Sequence, residues 1–422
     1  MNFDPQKEEF WDNTLFQKEL DRIFDICNGC RLCYNLCPSF EVLFKKIDEL
    51  DIEASKVPLE VKNEVIDLCY ECKLCYPKCP YTPPHHYELD FPRLMLRARA
   101  IRTREKGVHI QDKFLGKTDL IGAIGSTFPG IMNWANENQI TRSLMHATVG
   151  IHKHRNLPKY HGVTFIEWYR KHRRSEDRDY TNGKVALFYT CTVNYNNPDI
   201  GIATVEVLER NRIDVIVPEQ RCCGMPALDG GDIAAAQEMI DFNTRSFQSY
   251  VDAGYTIVVP GPTCSYMMKQ EYPYLGRIEG TKRISANTLD ICEYLMKLHK
   301  EKKLDTAFSA PQGKIAYHLA CHLKAQNIGF KSKELMSLIP GTEIELIQKC
   351  SAVDGTWGLK KEYYELSLKV ARSLFERIEK AQPATVVSDC PLAGLQIEQG
   401  TGHSFKHPIQ VVRAAYGIAG KG

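Results

Sequence analysis

At 422 residues the chain is long for one domain, and its length predicts two or three domains. The formal net charge of +2 excludes a mainly nucleic-acid-binding protein, because the one short basic run, at residues 170–178, also contains acids and predicts a solvated loop. No stretch of about 18 apolar residues is present, which excludes a transmembrane helix. Sixteen cysteines in a chain without a recognisable signal peptide predict a cytoplasmic, metal-binding protein rather than one held by disulfides.

Residues 1–26 carry apolar side chains at near-helical spacing, which predicts a helix packed against the segment that follows. That segment contains two runs with the same C-x2-C-x2-C-x3-C-P spacing. The runs are Cys27, Cys30, Cys33 and Cys37, and Cys69, Cys72, Cys75 and Cys79. This is the spacing of bacterial ferredoxins with two [4Fe–4S] clusters, in which the fourth cysteine of each run ligates the other cluster.

The predicted ligand sets are therefore crossed. One [4Fe–4S] cluster takes Cys27, Cys30, Cys33 and Cys79, and the other takes Cys69, Cys72, Cys75 and Cys37. Structural zinc fits the pattern less well, because zinc usually takes two separated pairs of ligands. The segment between the runs is apolar at helical period, so residues 1–110 are predicted to form a helical ferredoxin-like domain.

Residues 111–180 are the least distinctive part and are predicted to be a helical linker or docking segment. They are apolar at helical period, with a break at Pro129. Two interpretations are open: core helices with a linker, or a docking face for a membrane or a flavoprotein partner. The first is favoured, because apolar helical stripes more often face a core than an interface.

From residue 184 onward, short β-branched runs alternate with helical patterns, which predicts α/β structure with a mainly parallel sheet. This part repeats itself: Cys191 corresponds to Cys321, Cys222 to Cys350, and Cys264 to Cys390. The offsets of 130, 128 and 126 residues predict an internal duplication, with repeats at 181–305 and 306–422. The cysteines are predicted to lie where strands end, at the edge of the sheet where ligands commonly bind.

The spacing of a cysteine, a Cys-Cys-Gly and a further cysteine resembles the cysteine-rich CCG domain of heterodisulfide reductases. Two ferredoxin motifs followed by two such repeats resemble the D subunit of heterodisulfide reductase and the C subunit of anaerobic glycerol-3-phosphate dehydrogenase. Similar iron–sulfur proteins are associated with rubrerythrin. The resemblance implies an α+β fold: a helical bis-[4Fe–4S] ferredoxin domain followed by a duplicated α/β cysteine-rich (CCG) domain.

Both repeats depart from the family motif, because neither ends in CxxC. The first repeat offers four cysteines for a third cluster or a zinc ion: Cys191, Cys222, Cys223 and Cys264. The second offers three, and nearby residues that could add a ligand: Cys321, Cys350 and Cys390, with His318, His322, Asp354 and Asp389. The alternative is a degenerate second repeat retained for folding.

The leading functional hypothesis is an electron-transfer subunit, because no nucleotide-binding glycine motif follows a strand. The resemblance implies a flavoprotein dehydrogenase or a rubrerythrin-like iron protein as partner, and a quinone, disulfide or other acceptor. The expected location is the cytoplasm or the inner face of the membrane. Two alternatives stay open: a stand-alone thiol–disulfide or heterodisulfide-type reductase with its active site at Cys222 and Cys223, and a redox sensor with structural clusters. No catalytic residue is assigned.

Overall fold

The computed structural model of the protein describes residues 3–173 and 179–420. Part of the basic run at 170–178, predicted to be a solvated loop, therefore lies outside the described residues. Helices build the N-terminal part of the chain, and helices alternate with parallel strands in the C-terminal part. The predicted α+β fold is therefore confirmed.

The N-terminal region is helical, as the sequence predicts. Its elements are α1 (Glu8–Trp11), α2 (Asn13–Cys30), α3 (Pro38–Leu50), a 3-10 turn (Ala54–Lys56), α4 (Leu59–Leu68), α5 (Cys75–Lys78) and α6 (Phe91–Lys106). Helix α2 begins where Asp12 accepts a hydrogen bond from the backbone N–H of Leu15. Helix α3 begins at Pro38, a position where a missing N–H costs nothing. The cysteine runs thus lie at helix ends, around a core in which the rings of Phe40 and Phe91 are 4.4 Å apart.

A group of short helices follows. They are α7 (Ile110–Leu115), α8 (Thr118–Thr127), α9 (Pro129–Glu137), α10 (Gln139–Thr148) and α11 (Phe165–Lys171). Helices α7–α10 and the link between α8 and α9 expose large apolar side chains: Ile110, Phe114, Leu120, Ile124, Phe128, Ile131, Trp134, Ile140 and Leu144. The interpretation of this segment as core helices is therefore wrong for α7–α10, whereas Phe165 of α11 is buried in the core of the first repeat.

One side of α8 packs closely on the first repeat at Tyr195 and on the preceding segment at Tyr160. A Cβ atom at Gly122 would lie 2.1 Å from the ring of Tyr195, and one at Gly125 would lie 2.4 Å from the ring of Tyr160. Glycine is needed at these positions because any side chain would hold the helix away. Close packing on one side and exposure on the other explain why the apolar stripe does not mark a core.

The first repeat begins at residue 183. Its elements are β1 (Gly183–Leu187), α12 (Cys191–Tyr195), α13 (Pro198–Arg210), β2 (Ile213–Ile216), α14 (Met225–Asp229), α15 (Ile233–Asp252), β3 (Thr256–Val259), α16 (Pro262–Tyr266), a π-helical turn (Met267–Glu271), α17 (Tyr272–Leu275), α18 (Thr281–Ala286), β4 (Thr288–Asp290) and α19 (Ile291–Lys300). Its four strands are parallel, in the order β2-β1-β3-β4.

The second repeat begins at residue 313. Its elements are β5 (Gly313–His318), α20 (Cys321–Ala325), α21 (Lys331–Met336), β6 (Thr342–Ile347), two 3-10 turns (Trp357–Leu359 and Lys361–Tyr363), α22 (Tyr364–Ala381), β7 (Thr385–Ser388), α23 (Pro391–Thr401), β8 (Phe405–Lys406) and α24 (Pro408–Ala415). Its strands are parallel, in the order β6-β5-β7-β8. The equal order in both sheets confirms the internal duplication.

The repeats pack directly against each other. Arg413 on α24 forms two hydrogen bonds of 2.7 Å with the carboxylate of Asp199 on α13. Apolar residues of both repeats share one buried cluster, which includes Val205, Leu335 and Val412. Among the described residues, none of the helices is both long enough and apolar enough to cross a bilayer.

Candidate cysteine centres

The first set of thiols lines one small, mostly apolar cavity. Cys27, Cys30 and Cys33 reach it from the end of α2 and the loop after it, and Cys79 reaches it from the second run. Burial raises the pKa of Cys27, and the charges of Cys33, Cys79 and Cys30 raise it further. The four thiols predicted to share a cluster thus adjoin one another, and their role as ligands stays a prediction.

The second set gathers around Cys75. Burial raises the pKa of Cys75, and the charges of Cys72, Cys69 and Cys37 raise it further. Cys37 reaches this group because it directly precedes α3, which is tied to α4 where the Ser39 hydroxyl donates to the Val65 carbonyl over 2.7 Å. Residues far apart in the two runs are therefore neighbours, and their ligation also stays a prediction.

Charged residues inside the second run form a buried network. Glu71 and Lys73 are each 1% exposed and form an ion pair of 2.7 Å, and both have positive φ angles, of 56° and 61°. Arg99 on α6 donates to the carbonyl of Cys69 and lies 3.8 Å from Glu71. Because a buried charge is costly without a partner, this network holds the cysteine loop in one conformation.

The first repeat brings its four cysteines together at the carboxyl ends of its strands. Cys191 begins α12 after β1, Cys222 and Cys223 follow β2, and Cys264 lies in α16 after β3. Cys222 accepts hydrogen bonds from Cys191 and Cys223, which lower its pKa well below the ordinary value. The pKa of Cys191 is raised first by its bond to Cys222 and then by burial, and that of Cys223 by its bonds to Cys222 and Cys264 and then by burial. The predicted placement at strand ends is confirmed.

Two residues that sequence reasoning missed complete this group. The carboxylate of Asp119 accepts a hydrogen bond of 2.6 Å from the backbone N–H of Cys222, and the Thr118 hydroxyl donates to the Cys191 sulfur over 3.3 Å. Burial raises the pKa of Asp119 to about 6, and the charge of Cys222 contributes. Both residues begin helix α8, 73 residues before Cys191 and 103 before Cys222, and no local pattern indicates these contacts.

A cavity of about 230 Å³ lies over these cysteines. The four thiols of the first repeat form its floor, and Cys390 of the second repeat joins them at one side. Its roof is apolar and comes from α8, α9 and α10, through Ile121, Met132 and Met145. The cysteines of the first repeat therefore share one cavity with apolar side chains of α8, α9 and α10.

The second repeat places its three cysteines at equivalent strand ends. Cys321 begins α20 after β5, Cys350 follows β6, and Cys390 precedes α23 after β7. The hydroxyl of Tyr70, in the second ferredoxin run, lies 3.3 Å from the sulfur of Cys350. Burial raises the pKa of Cys321, followed by the charges of Asp354, Cys72, Cys390 and Cys350. The second repeat therefore adjoins the second set of ferredoxin cysteines.

Two of the four additional ligand candidates, His318 and Asp389, have both of their polar side-chain atoms engaged in hydrogen bonds. His318 donates from Nε2 to the Lys349 carbonyl and accepts at Nδ1 from the Ser388 hydroxyl. Asp389 accepts hydrogen bonds from Tyr317 and from Ser332, one on each oxygen. The other two, His322 and Asp354, lie with Cys321, and their donor atoms are all within 4.8 Å of one another.

Comparison with known proteins gives three matches to family models. The cysteine-rich (CCG) domain matches residues 185–269 and 315–398, and the citrate utilization protein B Fer4-like domain matches residues 20–106. These ranges contain the cysteines of both repeats and of both ferredoxin runs. The predicted resemblance is therefore confirmed.

Three curated relatives extend the comparison. The C subunit of anaerobic glycerol-3-phosphate dehydrogenase from Escherichia coli (strain K12) is 31% identical over 304 residues, which is 71% of this chain and 76% of the relative. Lactate utilization protein A of Geobacillus thermodenitrificans is 32% identical over 219 residues, 49% of this chain and 87% of the relative. The B subunit of fumarate reductase (CoM/CoB) from Methanothermobacter marburgensis is 27% identical over 218 residues, 51% of this chain and 42% of the relative.

Proposed function

Because the chain belongs to the family of the C subunit of anaerobic glycerol-3-phosphate dehydrogenase, and is an iron–sulfur electron-transfer protein, we propose the path that its electrons take. They enter at the first ferredoxin set, pass to the second set, cross to the second repeat and leave at the cavity of the first repeat. Two of the relatives are subunits of larger enzymes, and the chain accordingly works with protein partners.

The order of the cysteine sets in space supports this path. The charge of Cys33 raises the pKa of both Cys37 and Cys75, so the two ferredoxin sets adjoin. Tyr70 links the second set to Cys350 over 3.3 Å, and Cys390 borders the cavity above the first repeat. The single observation that carries the proposal is that the cysteines form a continuous series from the ferredoxin region to an apolar cavity.

The donor sets fit iron–sulfur clusters. Each ferredoxin set offers four thiols, with the crossed membership given above, and we assign one [4Fe–4S] cluster to each. We assign a third iron–sulfur centre to Cys191, Cys222, Cys223 and Cys264. When bound, such clusters supply one-electron transfer at potentials set by ligation, hydrogen bonds and burial. Phe40 and Leu89 exclude water from the first ferredoxin set, and the apolar side chains of α8, α9 and α10 exclude it from the cysteines of the first repeat.

The exposed helices support a proposal for the acceptor. Contiguous exposed apolar surface marks an interface with a protein or a membrane, and here it includes Ile131, which is 67% exposed, and Trp134, which is 58% exposed. Lys113 and Lys117 are exposed beside it and suit an anionic lipid surface. We assign α7–α10 to peripheral contact with a membrane, and the cavity beneath them to a quinone-type acceptor. A flavoprotein dehydrogenase or a rubrerythrin-like iron protein would then be the donor.

A vesicle experiment tests this function. Anaerobically purified, chemically reduced protein is mixed with anionic vesicles that contain menaquinone, and binding and reoxidation are both measured. We expect a variant with Ile131→Lys and Trp134→Lys to bind vesicles at least tenfold more weakly, because each apolar side chain contributes about 1–3 kcal/mol when buried. Its iron content should be unchanged.

Leu59→Lys is the matched control, because Leu59 is 62% exposed on α4, in the ferredoxin region. The proposal fails if the wild-type protein neither binds these vesicles nor is reoxidised by their quinone, or if the control loses binding equally.

A second candidate function is disulfide reduction at the first repeat. The observation in its favour is the low pKa of Cys222 beside the thiol of Cys223, at the floor of an open cavity. Reduction of a disulfide takes two electrons and two protons and gives two thiols. If the reduced protein converts a small disulfide to thiols faster than it reduces menaquinone, this second function replaces the first.

A further inference from the structure

The second repeat presents a buried carboxylate to its three thiols. Asp354 is 8% exposed, and its Oδ2 atom has no hydrogen-bond partner. Its carboxylate lies with the Cys321 sulfur and a ring nitrogen of His322 in one group whose ligand atoms are all within 4.8 Å of one another. Cys350 and Cys390 follow β6 and β7, the strands on either side of β5. A buried carboxyl oxygen without a partner is costly unless the group is protonated or a cation or a hydrogen-bond donor satisfies it.

The other possible ligands are already satisfied. His318 and Asp389 have hydrogen-bond partners on both of their polar side-chain atoms, as described above. His322 lies close to Asp354, with 3.8 Å between Nε2 and Oδ1, but its Nε2–H donates to the Glu71 carbonyl over 3.0 Å. Its Nδ1 accepts from the Thr263 hydroxyl over 2.9 Å. Of the four candidates, Asp354 alone has a side-chain atom, Oδ2, that makes no hydrogen bond and is available as a metal ligand.

We propose that Asp354 is the fourth ligand of an iron–sulfur cluster held by Cys321, Cys350 and Cys390. The motif of this repeat lacks the further cysteines that would complete a set of thiols, and the carboxylate takes their place. Carboxylate oxygens are accepted ligands of iron in proteins. This inference rests on the proposed electron path, because it supplies the redox centre where that path crosses the second repeat.

The location also fits a redox centre. Cys350 is 3.3 Å from Tyr70 of the second ferredoxin run, and Cys390 borders the cavity of the first repeat. A cluster held by these residues would supply one-electron transfer without making or breaking a bond. A zinc ion at the same place would interrupt the path, because zinc has no redox chemistry.

The test compares Asp354→Ala and Asp354→Cys with the wild-type chain, anaerobically purified. We expect Asp354→Ala to lose about four iron atoms and one EPR signal, while the signals of the two ferredoxin clusters remain. Asp354→Cys should keep the iron but shift the g-values and the potential of that one signal, because thiolate replaces carboxylate. Asp389→Asn is the matched control and should keep the wild-type iron content.

The retained ferredoxin signals and the Asp354→Cys variant separate ligand loss from misfolding. The inference is overturned if Asp354→Ala keeps all its iron with an unchanged spectrum, or if zinc is lost in place of iron. A wild-type chain without ferredoxin iron would instead contradict the proposed electron path itself.

Discussion

The two cysteine-rich repeats have the same sheet and different surroundings. In both, a parallel sheet of equal strand order delivers cysteines to the carboxyl ends of three strands. Over the first repeat lie the apolar helices α8–α10, which leave a cavity open to its thiols. Against the second lies the second ferredoxin run, through Tyr70 and Cys72. The same sheet therefore has apolar helices beside its cysteines in one repeat and ferredoxin residues beside them in the other.

The two repeats also differ at single corresponding positions. Gly224 of the first repeat has a φ of 97°, and the corresponding Ala352 still has a positive φ of 51°. The backbone turn has therefore persisted although the Cys-Cys-Gly sequence has not. Phe188, the residue after β1, corresponds to His318 at the end of β5, so an apolar position in one repeat carries a titratable group in the other. These differences can be tested separately.

The largest expected effect is the loss of the centre on the first repeat. In Cys222→Ser we expect about four fewer iron atoms per chain, because Cys222 accepts hydrogen bonds from both neighbouring thiols and lies at the middle of the group. Iron, sulfide and zinc analysis with EPR measures it. Cys292→Ser is the control, since Cys292 is buried in α19 and does not line the cavity. Equal iron in both variants would contradict a centre on this repeat.

The crossed ferredoxin sets come next. Cys37→Ser should alter the EPR signal of the cluster held with Cys69, Cys72 and Cys75, the one beside the second repeat, and should leave the other signal in place. Cys33→Ser should have the reverse effect. If Cys37→Ser disturbed only the cluster of its own run, the crossed assignment would be wrong.

A smaller effect concerns the pH dependence of stability. Burial lowers the pKa of His318 to about 4, so the folded chain keeps it neutral while the unfolded chain binds a proton below a pH of about 6.5. The free energy of unfolding should therefore fall as the pH drops from about 6.5 to about 4, by up to about 3 kcal/mol. His318→Phe, which copies Phe188 of the first repeat, should flatten this slope in denaturant titrations. An unchanged slope would assign the acid sensitivity to other groups.

The smallest expected effect concerns the roof of the cavity. Gly122→Ala should destabilise the chain by about 1–3 kcal/mol, because the new Cβ atom would meet the ring of Tyr195. Gly130→Ala in α9 is the control, since nothing lies within 4 Å of a Cβ atom there. Thermal unfolding measures both. Equal melting temperatures would mean that α8 is not fixed on the first repeat.

The sequence by itself determined the features that depend on local spacing. The two ferredoxin runs, the alternation of strands and helices and the duplication all follow from intervals between residues near one another or at a constant offset. They predicted the fold and the positions of the cysteines at strand ends, because a parallel sheet brings those ends to one edge.

Only the tertiary structure decided what surrounds those cysteines. The contact of Tyr70 with Cys350 joins residues 280 positions apart, and that of Asp119 with Cys222 joins residues 103 apart. The exposure of α7–α10 was not readable from periodicity, since an apolar stripe looks the same whether it faces a core or a partner. The proposal of Asp354 as a cluster ligand, rather than His318, His322 or Asp389, likewise depends on the tertiary structure. Only Asp354 among these four has a buried side-chain atom without a hydrogen-bond partner.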